Sequence, residues 1–187
     1  MVVEPIRDKK LIVKMIDKLN ETCKRDGLLF RMGINTILRV SDLLKLKVVD
    51  VLHSDGKFRE YLCLKEQKTD KPRKIKLNSL IRSEIMKYIL HYELDDDHYL
   101  FFSLRNPKKS LDRVTAYKRL TKVATSVGIE HFGTHSMRKT LAYQVYGKTK
   151  DIGLVMNMLN HSNPKVTMHY IGITQESIDN AYDEFGI

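Results

Sequence analysis

The side chains of this 187-residue chain that could do chemistry are a spaced set of Arg, Lys, His and Tyr. In GTHSMRKT, His135 and Arg138 stand three apart at a predicted helix start, so they share one face. The helix N-terminus there adds a positive end, which favours an anion. Further on, LNHSNPKVTMHYIG supplies His161 and Tyr170. Upstream, ILRVSDLL places Arg39 just ahead of a short helix, with Asp42 three residues later, and KTDKP offers Lys68 on a turn. Singly, each has an ordinary reading: a tyrosine that packs, an HxxR on a solvated face, a hairpin lysine. As an ordered set they are much harder to attribute to chance. Other chemistries lack their signatures: there is no Walker A sequence, GxGxxG, HExxH or paired-cysteine zinc pattern. The acidic run Glu93, Asp95, Asp96, Asp97, His98 lacks EF-hand spacing, so no metal and no cofactor are expected.

These residues need elements to hold them. Asp8 can cap a first helix carrying Leu11, Ile12, Met15, Ile16 and Leu19, and Leu28, Leu29, Met32 and Ile37 suggest a second. Ser41 can cap a short third, DLLKL. From Val48 to Leu77 the stretches VVDVL, YLCLK and RKIKL, separated by SDGK and TDKP, read as a three-stranded antiparallel sheet. Helical spacing resumes at Leu80, and a helix from about Asp112 to Val127 stops at Gly128. Shorter helices follow Thr134, Lys150, Pro164 and Thr174. The fold class is therefore mainly α with one small three-stranded sheet, in a single domain spanning 1–187.

Charge narrows the partners. Lys+Arg number 33 against 23 Asp+Glu, a net +10, and no apolar run is long enough for a membrane span. The excess calls for a polyanion, nucleic acid first. The N-terminus turns charged before a signal-peptide core could form, so a cytosolic protein, associated with the nucleoid, is expected. Basic residues gather in two segments: Lys65, Lys68, Lys71, Arg73, Lys74 and Lys76, then Arg105, Lys108, Lys109, Arg113, Lys118, Arg119 and Lys122. The tail reverses the sign with Glu176, Asp179, Asp183 and Glu184.

Together these residues resemble the tyrosine recombinases, the phage-integrase and Xer-type family. LRVSDLLKL is similar to its first motif, THSMRKT to its HxxR motif, and LNHSNPKVTMHYIG to its closing motif, over roughly Asp26 to Gly172. The short form as a whole also resembles single-domain integrase-like proteins of low-GC Gram-positive bacteria. The resemblance implies a catalytic-domain fold and a recombinase that breaks DNA through a 3′-phosphotyrosine. It makes Tyr170 the nucleophile, and Arg39 and Arg138 the clamp on the non-bridging oxygens. Lys68 becomes the acid for the leaving 5′-oxygen, His135 a proton-transfer partner, His161 a donor to the phosphate, and Asp42 a support for Arg39 or its neighbours. The physics suits these roles. Guanidinium forks offer bidentate donors to anionic oxygens, and a phenol titrating at about 10 needs a base or a cationic field.

Two positions depart from the family pattern: Ile37 replaces the usual glycine before Leu-Arg, and His169 stands where an Arg or polar residue is common. The two basic segments would line duplex DNA, with Asn106, Ser110, Arg113 and Tyr117 as base or phosphate contacts. Family partners would be a homo-oligomer on DNA, a tetramer in synapsis, and an accessory DNA-bending protein. The family's separate N-terminal core-binding domain is expected to be absent, leaving half a clamp. Residues 173–187, with Thr174 as cap and Ile178, Ala181, Tyr182 and Phe185 on one side, would form an acidic helix that packs on a neighbouring subunit or on its own core. A strand-swivelling topoisomerase and a non-catalytic DNA-binding module are the alternatives.

Overall fold

Side-chain caps and helical apolar spacing build most of the molecule. The computed structural model describes residues 3–173, 179 and 182–185. Helix α1 (Lys9–Thr22) starts where Asp8 Oδ1 accepts from Lys10 N at 2.7 Å, and it buries Met15, Ile16 and Leu19. Extended Cys23 separates it from α2 (Lys24–Thr36), whose Leu28, Leu29, Phe30 and Met32 sit at the centre of the main core. Around α2 pack α1, α4 (Ser79–Tyr92), α5 (Arg113–Ser126) and α6 (Thr134–Thr149). The approach to α6 is close: a Cβ on Gly33 would lie 2.5 Å from Met137 Sδ. The backbone contact that glycine allows puts the start of α6 beside the end of α2.

Buried charge fixes the other side. Arg25 donates through Nη1 to Phe102 O at 2.8 Å and through Nε to Asp26 Oδ1 at 3.0 Å, while Arg119 Nε donates to Asp26 Oδ2. Helix α5 is capped by Asp112 and ends at Gly128, whose φ is +83°. The first residues run along α6: Ile6 N donates to Thr140 Oγ1 at 2.9 Å, and Lys139 Nζ to Val3 O at 2.7 Å.

The mainly α class holds, but the sheet differs from expectation. Only β1 (Tyr61–Lys65) and β2 (Pro72–Lys76) of the expected three strands pair, with Tyr61 opposite Lys76 and Lys65 opposite Pro72. The VVDVL stretch is a 3-10 turn over Val48–Asp50, closed by Lys47 N donating to Asp50 Oδ2 at 2.8 Å. Val48 and Val51 are both buried, a three-residue repeat that suits a helical turn and not an alternating strand. A second hairpin, β3 (Phe102–Ser103) with β4 (Asn106–Ser110), stands between α4 and α5, apart from the expected sheet. The short third helix, α3, runs over Val40–Leu43 with Arg39 as its N-cap residue, so Ser41 lies inside it and does not cap it.

Ile37 ends α2 in the left-handed region, at φ 56° and ψ 16°. This explains why glycine would suit the position. A β-branched residue there costs roughly 1–2 kcal/mol of backbone strain. The compensation is burial, because Ile37 is 2% exposed within a satellite core of Ala142, Val155, Leu159 and Ile171. That core seats α7 (Ile152–Leu159) and α8 (Pro164–Tyr170) on α6. Of the expected C-terminal helix, Thr174, Ile178 and Ala181 lie outside the described residues, while Tyr182 and Phe185 are exposed.

Ile37 reverses an ordinary ranking. Ile37→Ala keeps the strain and loses the side chain, whereas Ile37→Gly loses the side chain and relaxes the backbone. Both should destabilise, by roughly 1–5 kcal/mol, with glycine the milder by about 1 kcal/mol. Thermal unfolding of the two variants checks the order, and alanine proving milder would sink the strain argument.

Candidate active site

The turn between β1 and β2 meets the starts of α3, α5 and α6. They enclose an open cavity of about 630 Å³ lined by Arg39, Gln67, Lys68, Arg113, Tyr117, His135 and Arg138, among others. Each element has a reason to stop there. Arg39 directly follows the left-handed exit from α2. The hairpin turn closes through Glu66 N to Lys71 O at 3.0 Å, with Asp70 at φ 56°. Helix α6 begins at Gly133, whose N donates to Ser136 Oγ at 3.1 Å. Asn163 and Pro164 start α8, which ends on Tyr170.

Glu66 occupies the centre. Its side chain is 0% exposed, and Oε2 lies 2.6 Å from Arg39 Nη1 and accepts from Thr69 Oγ1 at 2.6 Å. Its other oxygen faces Arg73 Nε at 3.6 Å and Arg138 Nη1 at 3.9 Å. Burial pushes this carboxyl up, but the Thr69 hydroxyl and the Arg39 guanidinium outweigh it and hold the group below its ordinary range. Arg138 Nη2 donates to Leu159 O, and Arg73 Nη2 to Met158 O at 2.6 Å. Both arginines thus grip the end of α7, one turn of chain before His161.

Asp42 lies buried beside this cluster and reaches the hairpin backbone. Its Oδ1 accepts from Gln67 N at 3.0 Å, which docks the hairpin on α3. Arg39 itself is held by Glu66, a residue outside every motif. Sequence carried one faint signal of it: Glu66 is one of two acidic residues in a lysine-rich hairpin, two positions before Lys68.

The proton-transfer groups form the cavity's flank. Tyr170 Oη stands 3.5 Å from His135 Nδ1, a long contact of the kind that tightens when a reactant binds. The His161 ring meets the Tyr170 ring edge to face at 5.3 Å between centroids, and its Nδ1 pairs with Thr167 Oγ1 at 3.0 Å. Lys139 Nζ sits 5.1 Å above the Tyr170 ring. Desolvation, then Arg138 and Arg39, push the His135 and His161 imidazoles below 6.5. Burial raises the Tyr170 phenol above its ordinary value, while the charges of Arg138 and Arg39 pull it back down. A neutral imidazole therefore faces a neutral phenol at pH 7, which is the arrangement a base needs.

Of the predicted site residues, Arg39, Lys68, His135 and Arg138 share the cavity, Tyr170 joins it through His135, and His161 packs on Tyr170. The basic residues divide. Lys65, Lys68, Lys71, Lys74, Lys76, Arg105, Lys108, Lys109, Arg113 and Lys118 are exposed. Lys65 pairs with Asp70 at 2.7 Å, and Lys74 lies over the Tyr61 ring. Two residues expected on a DNA face are engaged by partners within the protein. Arg73 is 9% exposed and committed to α7 and Glu66, and Arg119 is tied to buried Asp26.

Comparison with known proteins agrees with the geometry. Residues 8–177 match the model of the phage integrase family. The chain is 40% identical to probable integrase/recombinase YoeC of Bacillus subtilis strain 168, over 99% of this chain and 98% of that protein. It is 28% identical to tyrosine recombinase XerA of Pyrococcus furiosus, over 92% of this chain but 58% of that protein. A solved structure of XerH site-specific recombinase, in a post-cleavage complex with palindromic difH substrate, superposes with a TM-score of 0.76 at 22% identity. It covers 97% of this chain and 52% of XerH. The chain thus spans nearly all of YoeC and little more than half of XerA and XerH.

The depressed histidines are directly measurable. NMR titration should place the midpoints of His135 and His161 below 6.5. Arg39→Ala should raise both, since it removes a charge that disfavours imidazolium. Midpoints at or above 6.5 in the unaltered protein would remove the electrostatic account of the site.

Proposed function

The chain belongs to the phage integrase family, and on that premise we propose that it is a site-specific DNA recombinase that cuts and rejoins strands through a phosphotyrosine. The observation that carries this reading is the meeting of Tyr170 with His135 beside a cavity walled by Arg39, Arg138 and Lys68. The Tyr170 oxygen attacks the scissile phosphorus as its proton passes to neutral His135. The bond from phosphorus to the 5′-oxygen breaks, and Lys68, on its exposed turn, gives that oxygen a proton. The products are a 3′-phosphotyrosine and a 5′-hydroxyl, and attack by another strand's 5′-hydroxyl reverses the step. Bond energy is kept in the ester, so no nucleotide is consumed.

Arg39 and Arg138 bear on the charge that gathers on the non-bridging oxygens. Loss of one such fixed donor costs about a hundred- to thousandfold in rate. His161 completes the set as a donor to the phosphate, which its place against Tyr170 permits. The charge count supports an anionic guest. In the buried cluster, Arg39, Arg73 and Arg138 against Asp42 and Glu66 leave one positive charge, and Lys68 and Arg113 on the cavity wall add to it.

Double-stranded DNA is the partner, reached by the exposed lysines of the β1–β2 hairpin and by Arg105, Lys108, Lys109, Arg113 and Lys118. Exchange between two duplexes cuts four strands, and each chain supplies one Tyr170. A synaptic tetramer follows from that stoichiometry, with accessory DNA-bending proteins left to the particular target. No described helix is long and apolar enough to cross a membrane.

A nicked duplex that releases the short fragment bearing the new 5′-hydroxyl should trap wild-type protein as a covalent adduct, and Tyr170→Phe should trap none. An adduct with Tyr170→Phe would refute the nucleophile. Supercoil relaxation without recombinant product would point to a strand-swivelling enzyme instead. Adduct formation should also fall as pH drops below the His135 midpoint, because the protonated ring cannot accept from Tyr170. Binding to duplex should weaken steeply with salt, since lysine–phosphate contacts release counterions. A flat salt response would take those lysines off the DNA face.

A further inference from the structure

Among the described residues, Glu66 is the one buried carboxylate that reaches three guanidiniums, and none of the recognised motifs includes it. Its neighbours are incompletely paired. Glu66 Oε1, Arg39 Nη1, Arg73 Nε and Arg138 Nη1 are all buried, and none has a hydrogen-bond partner. They stand near one another at ion-pair distances but out of hydrogen-bonding alignment. The arrangement is therefore held by charge and not by saturated bonds. A like-charged trio this close would separate without the carboxylate, since Arg39 bears on both Arg73 and Arg138 as a repelling neighbour.

We infer that Glu66, acting with Arg73, is a positioning residue for the reaction: it sets the spacing of Arg39 and Arg138 and couples it to the His161 turn. This rests on the recombinase reading. The coupling has a physical path. Glu66 attracts Arg73 and Arg138, and both donate to carbonyls at the end of α7, through Asn157, Met158 and Leu159. From there the chain passes Asn160 in the left-handed region to His161. The same residue sits two positions before Lys68 and holds Thr69 in that turn. One carboxylate thereby links the phosphate clamp, the leaving-group acid and the phosphate donor, without touching substrate itself.

The role gives a signature that plain destabilisation does not. Glu66→Gln keeps the side-chain volume but removes the negative charge, raising the cluster from one net positive charge to two. DNA should then bind as tightly as to wild type or more tightly. The rate of adduct formation on bound nicked duplex should fall at least about tenfold, towards the hundredfold scale of losing a fixed donor. Opposite movement of affinity and rate is the expected result. A merely structural residue would lower both, along with the melting temperature.

Thr69→Val, which removes only the hydroxyl donated to Glu66, should reduce the rate about threefold or more on the same logic. It also decides the matter if Glu66→Gln does not fold. Wild-type protein and Tyr170→Phe run alongside. If wild type forms no adduct, the recombinase reading fails. If wild type reacts while folded Glu66→Gln stays within threefold of it, or Thr69→Val is unchanged where Glu66→Gln cannot be measured, the positioning role is overturned. Parallel loss of rate and affinity in Glu66→Gln would also overturn it.

Discussion

A carboxylate with no solvent exposure must be surrounded by positive charge, and the architecture near the cavity follows from that requirement. Desolvating Glu66 alone would cost several kcal/mol, and Arg39, Arg73 and Arg138 offset the cost. Each arginine comes from a different element: the N-cap of α3, strand β2 and helix α6. Their convergence on one oxygen pair forces those elements together. The arginines are in turn too costly to bury without the carboxylate. Neither side is stable without the other, so the site's shape and its charge are the same property.

That mutual dependence settles how the proton-transfer groups behave. Arg138 and Arg39 lie near enough to His135, His161 and Tyr170 to disfavour imidazolium and favour phenolate. Desolvation disfavours both charged forms. The two effects act together on the histidines and oppose each other on the tyrosine. The outcome is a neutral acceptor beside a neutral donor, ready for a phosphate to arrive before any charge separates.

Much of this was legible in the sequence where chemistry is encoded by local spacing. The pairs His135–Arg138 and His161–Tyr170 sit on short segments that carry their own start signals, the cap at Asp8 forms as written, and the helix expected from about Asp112 starts there. What the sequence concealed was non-local. VVDVL looks like a strand until its valines are seen buried three apart around an Asp50-closed turn. Arg73 and Arg119 count as surface charge by composition, yet partners 85 and 93 residues away engage them, and Arg73 is largely buried. Glu66 belongs to the same class, since its importance lies in residues 27 positions before it and 72 after it in the chain. Ile37 shows the converse: the departure from glycine was plain, but only the left-handed backbone and the satellite core explain how it is tolerated.

The end of α7 carries a consequence of its own. Its last carbonyls point at Arg73 and Arg138, and the C-terminus of a helix carries roughly half a negative charge in its unsatisfied carbonyls. Part of the counter-ion for the clamp is therefore peptide backbone. A carboxylate can be neutralised by acid or stripped by one codon change, whereas a helix end can be neither protonated nor substituted. Acid that discharges Glu66 would leave this fraction of the balancing field in place, as a floor beneath the site's electrostatics.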